Sequence, residues 1–523
     1  MSSETNHKLT RAAGAIMLAF VFSQIIGLIR RALVGSIFPA ADLEAFIAAN
    51  RVSETLFNLI AGGALGSAFI PTFTGLLAKQ QRAAAWQLAS GTANLLLLIL
   101  SVMAILAGIF AEPIVRYGLA PGLATNPAAL QLTINLMRIQ LASAVLFGLS
   151  GLVMGILNAH RVFFIPALTP SMYQLGMIFG TLVLAPHWGI YGLAWGVVLG
   201  AALHLTLQLP ALLQQRGSYT RTLGLHDPNI AQVLRLMAPR LFGVAVVHLN
   251  FWVNIALASY MAKGSLLGLD YGFATMIMAQ AALAQSVATA LMPTLSAQYA
   301  LGQTPQVRST LANALRGVLL LALPASAGLI LLRVPLIGLL YGRNQFDEIS
   351  IQMTAWALLW YAAGLTGHAA LEVLARAFYA LQDTFTPVRV GIFAMLLNVV
   401  FSFALSRLFT TLGWLPHGGL ALANSLATAL EATILFILMR RRLNGIHLPE
   451  VLHGGLRGVL ATLGMCLALW GWLSLPEIGQ LAQVAGGVTL GAAAYLLGLV
   501  ALQAPEVWSV IHWGREKLRV RKS

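Results

Sequence analysis

Charged side chains are scarce in this sequence. They make up 9% of its 523 residues, whereas soluble proteins average about 25%. Hydrophobic residues account for 59%, and the mean hydropathy is +0.82. A chain of this length with so little charge lacks the polar surface that several soluble domains would need. The composition therefore excludes most soluble enzymes and predicts a polytopic membrane protein.

Cysteine is almost absent as well. Cys466 is the only one, so an internal disulfide is excluded. The sequence has no Cys-x-x-Cys motif, no His-Glu-x-x-His motif and no Cys/His cluster with the spacing of a zinc site. We therefore predict no metal site and no cofactor, and we do not expect an enzyme.

Long apolar runs dominate what is present. A bilayer core of about 30 Å requires roughly 20 apolar residues per helix. Fourteen runs of that kind, bounded by charge, Pro or Gly, predict an all-α protein with about fourteen transmembrane helices. The predicted spans lie near 12–36, 45–76, 86–110, 131–158, 163–185, 189–214, 237–261, 268–298, 309–332, 351–378, 387–409, 417–439, 457–475 and 481–503.

The net charge of +15 is distributed unevenly over the predicted loops. An even number of spans places both termini on one side, and that side carries 21 of the 31 Lys and Arg residues, against 7 on the other. The positive-inside rule then predicts cytoplasmic termini. The basic C-terminal tail is interpreted as an anchor to anionic membrane lipids rather than as a nucleic-acid-binding arm.

Sequence motifs recur at a nearly constant offset. Ser-Ala-Phe-Ile-Pro-Thr at 67–72 resembles Thr-Ala-Leu-Met-Pro-Thr at 289–294, an offset of 222, and Phe-Phe-Ile-Pro at 163–166 resembles Thr-Phe-Thr-Pro at 384–387, an offset of 221. Chance recurrence of Pro and Gly is the alternative, but the agreement in order and spacing favours two parallel six-helix halves. Transporters with such halves bind substrate at the interface between them.

This repeat predicts three parts of the chain. Residues 1–222 form an N-terminal six-helix lobe, residues 223–445 form a C-terminal six-helix lobe, and residues 446–523 add two transmembrane helices and a basic cytoplasmic tail.

Polar and small residues form a stripe along the second span. Glu44, Arg51, Asn58, Gly62 and Gly66 follow spacings of seven, seven, four and four, which places them on one helical face. Ionisable groups inside a membrane span are costly and are therefore candidates for function. The stripe is predicted to face a cavity or a neighbouring helix.

Arginines are the main candidate substrate-binding residues. A guanidinium stays protonated and matches the oxygens of a phosphate group. Arg51 could instead form a buried pair with Glu54, three residues away, and Arg30 and Arg31 could simply extend to the membrane interface. No Walker A motif is present, so transport would depend on an ion gradient, the membrane potential or a partner.

Several of these stretches resemble one family. The segment from Glu44 to Pro71 is similar to the first signature of the MurJ/MviN family of lipid II flippases, members of the multidrug/oligosaccharidyl-lipid/polysaccharide exporter superfamily. The segments 155–160, 376–388 and 419–425 also resemble motifs of this family. The resemblance covers nearly the whole chain, and its most specific part runs from Phe378 to Pro387.

This resemblance implies a function in cell wall biogenesis and cell shape. The substrate would be the undecaprenyl-pyrophosphate-linked precursor of peptidoglycan, flipped from the inner to the outer leaflet of the cytoplasmic (inner) membrane by alternating access. Membrane lipids and cell wall synthesis proteins are the implied partners, and nucleic acid is not one. The resemblance also implies a central cavity that involves the first, second, seventh and eighth spans.

Some family positions are altered in this chain. The family typically has an Arg-Arg pair where this sequence has Phe57 and Asn58, and an Arg and a Glu where it has Ala274 and Ile277. A position that is commonly Arg is occupied by Phe385. Two rival interpretations stay open. The chain could export another polyprenyl-linked oligosaccharide or a drug, or, given the missing charges, it could be a membrane scaffold that no longer transports.

The candidate site residues are assigned as follows. Arg30 is expected to contact the pyrophosphate, with Arg31 and Asn58 nearby. Arg51 is expected to assist it or to pair with Glu54, and Glu44 to act as a gate or to balance charge. Four further residues are expected to permit helix bending rather than chemistry: Gly62, Gly63, Pro71 and Pro293.

Overall fold

The computed structural model describes residues 3–59, 64–224, 226–475 and 479–505. Within these ranges the regular structure is helical and no strand occurs. Helices are expected here because backbone N–H and C=O groups must pair within the segment when no water surrounds it. The prediction of an all-α fold is confirmed.

The helices of nine residues or more are numbered here in chain order. They are α1 Ser3–Ile37, α2 Ala40–Phe57, α3 Ala64–Ala78, α4 Arg82–Ile109, α5 Pro127–Ala159, α6 Phe164–Phe179, α7 Ile190–Thr206, α8 Pro228–Ser259, α9 Ser265–Gln280, α10 Ser286–Ala300, α11 Thr304–Leu331, α12 Arg333–Tyr341, α13 Glu348–Ala363, α14 Leu365–Ala380, α15 Phe385–Thr411, α16 His417–Arg442, α17 Leu448–Leu473 and α18 Gln480–Ala501. Shorter α-helical pieces are Ala111–Pro113, Ala185–Trp188 and Leu209–Gln214; π-helical turns are Ile114–Leu119, Gly180–Leu184 and Ala281–Gln285; a 3-10 turn is Pro121–Thr125.

Helix starts carry recognisable sequence signals. The side chain of Asn126 accepts hydrogen bonds from the first backbone N–H groups of α5, and Asp347 does the same for α13 through Ser350. Proline at the first or second position opens α5, α8, α11 and α17, where its missing N–H costs no hydrogen bond.

Helices overlap all fourteen predicted spans, but the count of fourteen crossings remains a prediction. In the part of the chain that the structure describes, ten helices are long and apolar enough to cross a membrane, or eleven if the pair α13 and α14, bent by 48°, is one span. The chain is a multi-pass membrane protein. Part of the predicted span 45–76 lies outside the described residues, to which this count is restricted.

The chain divides into two compact units. The first comprises residues up to Leu266 together with Arg343–Phe346, and the second comprises Leu267–Gly342 and the residues from Asp347 onward. The predicted three-part division at 222 and 445 remains a prediction.

In the first unit, α2 packs on α5, and α6 packs on both α1 and α7. The α6–α7 contact is unusually close because it is made by glycines. A Cβ atom at Gly196 would lie 2.9 Å from the carbonyl oxygen of Gly176 and 2.9 Å from the Cα of Gly180. Small residues of this kind let membrane helices approach closely.

In the second unit, α15 packs on α16, and α14 packs on α16 and α11. The two final helices join this unit through α11: α17 packs on α11 and α18, and the Tyr495 hydroxyl of α18 donates a hydrogen bond to the carbonyl oxygen of Leu320 at 2.6 Å.

Candidate functional site

Glu44 lies near the start of α2 and is buried, with 8% of its surface exposed. One of its carboxylate oxygens accepts hydrogen bonds from the backbone N–H groups of Gly264, at 3.0 Å, and Leu266, at 2.9 Å. It also lines a cavity of about 250 Å³ together with Lys263. The carboxylate therefore fixes the loop between α8 and α9 to the first turns of α2.

Arg51, two turns further along α2, is paired. Its guanidinium lies 2.9 Å from a carboxylate oxygen of Glu54, and its terminal carbon lies 4.9 Å from the ring centroid of Phe251 in α8. The pair that the spacing allowed is therefore present. The neutralised pair of Arg51 and Glu54 lies against the Phe251 ring and thereby holds α2 against α8. The other carboxylate oxygen of Glu54 accepts a hydrogen bond from Asn50 at 2.9 Å.

The same face of α2 opens onto a space of about 380 Å³ within the first unit, the α2 cavity. Its polar lining comes from four helices and from the residue that follows α2: Asn50, Ser53 and Glu54 of α2, Asn58 directly after α2, Ser143 of α5, Tyr173 of α6 and His204 of α7. Phe57, Phe147 and Pro170 complete the wall. Of the described members of the stripe, Asn58 lines this cavity and Arg51 faces α8.

Arg30 of α1 contacts α6, the helix that contributes Tyr173 to the α2 cavity. Its guanidinium donates a hydrogen bond to the sulfur of Met177 in α6 at 3.5 Å, and the side chain is partly buried. One turn before Met177, Tyr173 lines the α2 cavity together with Asn50 and Glu54. Arg30, Tyr173 and Glu54 therefore form one polar group on neighbouring helices.

The remaining candidates are placed less centrally. Arg31 follows Arg30 on α1 and is half-buried. Pro71 lies inside α3 and Pro293 inside α10, and both are exposed. Gly62 and Gly63 lie outside the described residues.

Sequence reasoning did not single out Asn50, Tyr173 and Ser143. Asn50 carried a signal, since it lies four residues before Glu54 on the polar side of α2. No sequence pattern indicates Tyr173 or Ser143, because these residues reach the cavity only through the packing of α5 and α6 around it.

Three histidines inside the predicted spans form hydrogen bonds between helices. His204 contacts the Ser150 hydroxyl of α5 at 2.6 Å, and His368 contacts Asn424 of α16 at 3.1 Å. His248 of α8 lies 3.4 Å from the Thr55 hydroxyl of α2.

No group of three His, Cys, Asp or Glu side chains that could hold a metal ion occurs in the described ranges.

The arrangement matches solved membrane transporters. A structure titled "Lipid II flippase MurJ, inward closed conformation" is similar with a TM-score of 0.81 and 23% identity, covering 94% of this chain and 99% of that one. An inward-facing multidrug resistance MATE family transporter of the MOP superfamily is similar with a TM-score of 0.64 and 16% identity, covering 81% of this chain and 94% of that one. This chain therefore shares its fold with these two proteins.

Sequence comparison is more specific than the fold. A family model described as "Lipid II flippase MurJ" matches residues 34–483, so the chain belongs to that family. A relative named "Lipid II flippase MurJ" from Burkholderia cenocepacia is 29% identical over 502 residues, which cover 93% of this chain and 95% of the relative. The resemblance seen in the motifs is confirmed over most of the chain.

Proposed function

We propose that this chain flips lipid II, the undecaprenyl-pyrophosphate-linked peptidoglycan precursor, from the inner to the outer leaflet of the cytoplasmic membrane by alternating access. The observation that carries the proposal is the family match over residues 34–483. The similarity to the Burkholderia cenocepacia flippase over nearly the full length of both chains supports it. The activity is transport, and no covalent step on the substrate is required.

Arg30 is the residue that we assign to the pyrophosphate. Its guanidinium is partly buried beside the polar group formed with Tyr173 and Glu54. A planar guanidinium in such a setting binds phosphate oxygens through two parallel hydrogen bonds. Arg31 would add positive charge beside Arg30 on α1, and Asn58 would offer its amide to the sugar or the phosphate from the α2 cavity.

Arg51 and Glu44 are assigned supporting functions. Because Arg51 is paired with Glu54 and stacked on Phe251, it would position α2 against α8 rather than carry the substrate's charge. Glu44 would hold the α8–α9 loop through two backbone hydrogen bonds, and release of this contact would accompany opening on that side. Pro71, Pro293, Gly62 and Gly63 would permit helix bending.

The orientation follows from the charge distribution. Both termini and the side richer in Lys and Arg would be cytoplasmic, and residues 1–222 and 223–445 would be the two repeated lobes, followed by the additional helices of 446–523. Cell wall synthesis proteins would take up the flipped precursor.

A leaflet-accessibility assay tests the proposal. Cells depleted of their own lipid II flippase and expressing this chain are supplied with labelled precursor, and lipid II exposed on the outer leaflet is measured with an externally added probe. We expect outward exposure to be restored relative to cells carrying an empty vector.

The rival functions give different results. An exporter of another polyprenyl-linked oligosaccharide or of a drug leaves lipid II inside while lowering accumulation of its own substrate, and a scaffold restores neither. An inserted, well-expressed chain that leaves lipid II on the inner leaflet contradicts the proposal.

A further inference from the structure

The most specific family-like segment, from Phe378 to Pro387, is not used by the proposed flipping function. It lies in the second unit and forms much of the wall of a cavity of about 430 Å³, the α15 cavity. Asp383 lines this space from just before α15, Thr386 and Arg389 line it from the start of α15, and Arg442 lines it from the end of α16. Two arginines and one carboxylate are thus brought to one cavity.

Asp383 organises one side of the α15 cavity. Its carboxylate accepts hydrogen bonds from the backbone N–H of Thr386 at 3.0 Å and from the Thr386 hydroxyl at 2.8 Å. It also forms an ion pair with Arg442, whose second nitrogen donates to the carbonyl oxygen of Leu381 at 3.4 Å. The Arg442 guanidinium is therefore held in place, yet 36% of its side chain stays exposed and is available to a ligand.

Arg389 supplies the positive charge on the other side. Its guanidinium carbon lies 5.9 Å from the ring centroid of Phe385, and among the described residues it forms no ion pair or hydrogen bond. Phe385 itself is 72% exposed. The ring face attracts the guanidinium, and Arg389 brings its positive charge to the lining of the cavity.

The surroundings are those of a membrane interface. Arg440 and Arg441 are exposed on the last turn of α16, so positive charge exceeds negative charge around the cavity. The α15 side chains that follow are apolar and exposed, as expected for contact with lipid chains: Val388, Phe393, Leu396, Val400 and Phe403. Basic pockets between membrane helices on the cytoplasmic side bind the headgroups of anionic lipids.

We propose that the α15 cavity binds the phosphate of an anionic glycerophospholipid such as phosphatidylglycerol. Arg389 and Arg442 donate hydrogen bonds to the phosphate oxygens, and Asp383 holds Arg442 in position. The acyl chains lie along the exposed face of α15. This lipid is a resident of the protein rather than its transported substrate, so its binding is measured without reference to flipping.

The test uses the full chain in phosphatidylcholine nanodiscs and a fluorescent phosphatidylglycerol as the probe. Arg389→Gln removes a charge that lines the cavity and has no ion-pair partner among the described residues. Arg441→Gln is the matched control, since it removes a positive charge next to Arg442 at the end of α16 from a side chain that does not line the cavity. We expect Arg389→Gln to weaken binding about tenfold, as loss of a charge-assisted hydrogen bond does. The control should change it about threefold or less. Arg389→Lys, which keeps the charge but loses the planar fork, should fall between them.

Two further measurements make every outcome decisive. Thermal unfolding of each variant checks folding, which Arg389→Gln should preserve because the side chain is exposed, and inorganic phosphate is added as a soluble competitor. Equal losses for Arg389→Gln and Arg441→Gln overturn the site in favour of diffuse surface attraction. Displacement of the lipid by millimolar inorganic phosphate assigns the cavity to a soluble anion and overturns the lipid assignment. If Arg389→Gln does not fold, Arg389→Lys becomes the deciding variant. Phosphatidylglycerol binding by Arg389→Lys that equals binding by the unmodified chain contradicts the proposal that a guanidinium at position 389 is required.

Discussion

The guanidinium of Arg51 lies 2.9 Å from a carboxylate oxygen of Glu54, one turn away on the same helix. This ion pair determines which function we assign to the charged residues of α2. Because the charge of Arg51 is balanced locally, the binding of an anionic substrate is assigned to Arg30 on the neighbouring α1, while Arg51 and Glu54 fix the position of α2 against α8.

A double-mutant cycle tests that structural function. The changes are Arg51→Ala, Glu54→Ala and both together, and the measured quantity is the free energy of unfolding in detergent. The Arg51 side chain is 19% exposed, so the coupling energy should be about 1 kcal/mol. The exposed pair Arg116 and Glu112 is the control cycle and should give about 0.3 kcal/mol. Equal coupling energies in the two cycles would show that Arg51 and Glu54 form an ordinary surface pair.

Replacement of Glu44 by Ala should destabilise the protein. The change leaves two buried backbone N–H groups, those of Gly264 and Leu266, without their acceptor, which costs about 2 kcal/mol. Glu44→Gln retains an amide oxygen and should lose less. The apparent Tm in detergent measures both, with Glu112→Ala at an exposed site as the control. Identical Tm values for Glu44→Ala and the unmodified chain would show that the Glu44 carboxylate does not stabilise the contact between α2 and the α8–α9 loop.

Close packing between α6 and α7 predicts a strong effect at Gly196. In Gly196→Val the new side chain overlaps with the backbone of Gly176 and Gly180. Even its Cβ atom would lie 2.9 Å from the Gly176 carbonyl oxygen and 2.9 Å from the Gly180 Cα. The helices must separate, and we expect little folded protein after extraction from the membrane. Gly75→Val is the control, because no heavy atom lies within 4 Å of a Cβ at that position. Recovery of the two variants in equal amounts on size-exclusion chromatography contradicts the packing.

Acid should affect the α15 cavity only at low pH. Burial raises the pKa of Asp383, but hydrogen bonds from Thr386 and the charge of Arg442 outweigh it, so the pKa lies below the usual value of 3.8. A carboxyl whose pKa is lowered by folding stabilises the protein above its unfolded pKa, and this stabilisation is lost as the pH falls through the lowered, folded value.

The corresponding measurement is the Tm difference between the unmodified chain and Asp383→Asn as a function of pH. We expect a constant difference from neutral pH down to about 5 and a decrease as the pH falls below the usual value of 3.8. A difference that shrinks between pH 7 and 5 would show that the carboxyl is not held by Thr386 and Arg442.

The sequence predicts much of this fold because the bilayer imposes one kind of element. Apolar runs near 20 residues long locate the helices, and the spacing of Arg51 and Glu54 already allowed their pair. What the sequence cannot supply is which helices become neighbours. Tyr173 reaches the α2 cavity only through the packing of α6, and the α15 cavity arises because Asp383 and Arg442, 59 residues apart, meet where α15 begins and α16 ends.

Arg30→Ala is the most direct test of the central claim, that a fixed guanidinium on α1 binds the diphosphate of lipid II. The measurement is outward exposure of labelled lipid II in flippase-depleted cells, with membrane insertion of each variant quantified in parallel. We predict that Arg30→Ala inserts normally and exposes no lipid II, and that Arg51→Ala retains partial activity. Full complementation by an inserted Arg30→Ala would contradict the account.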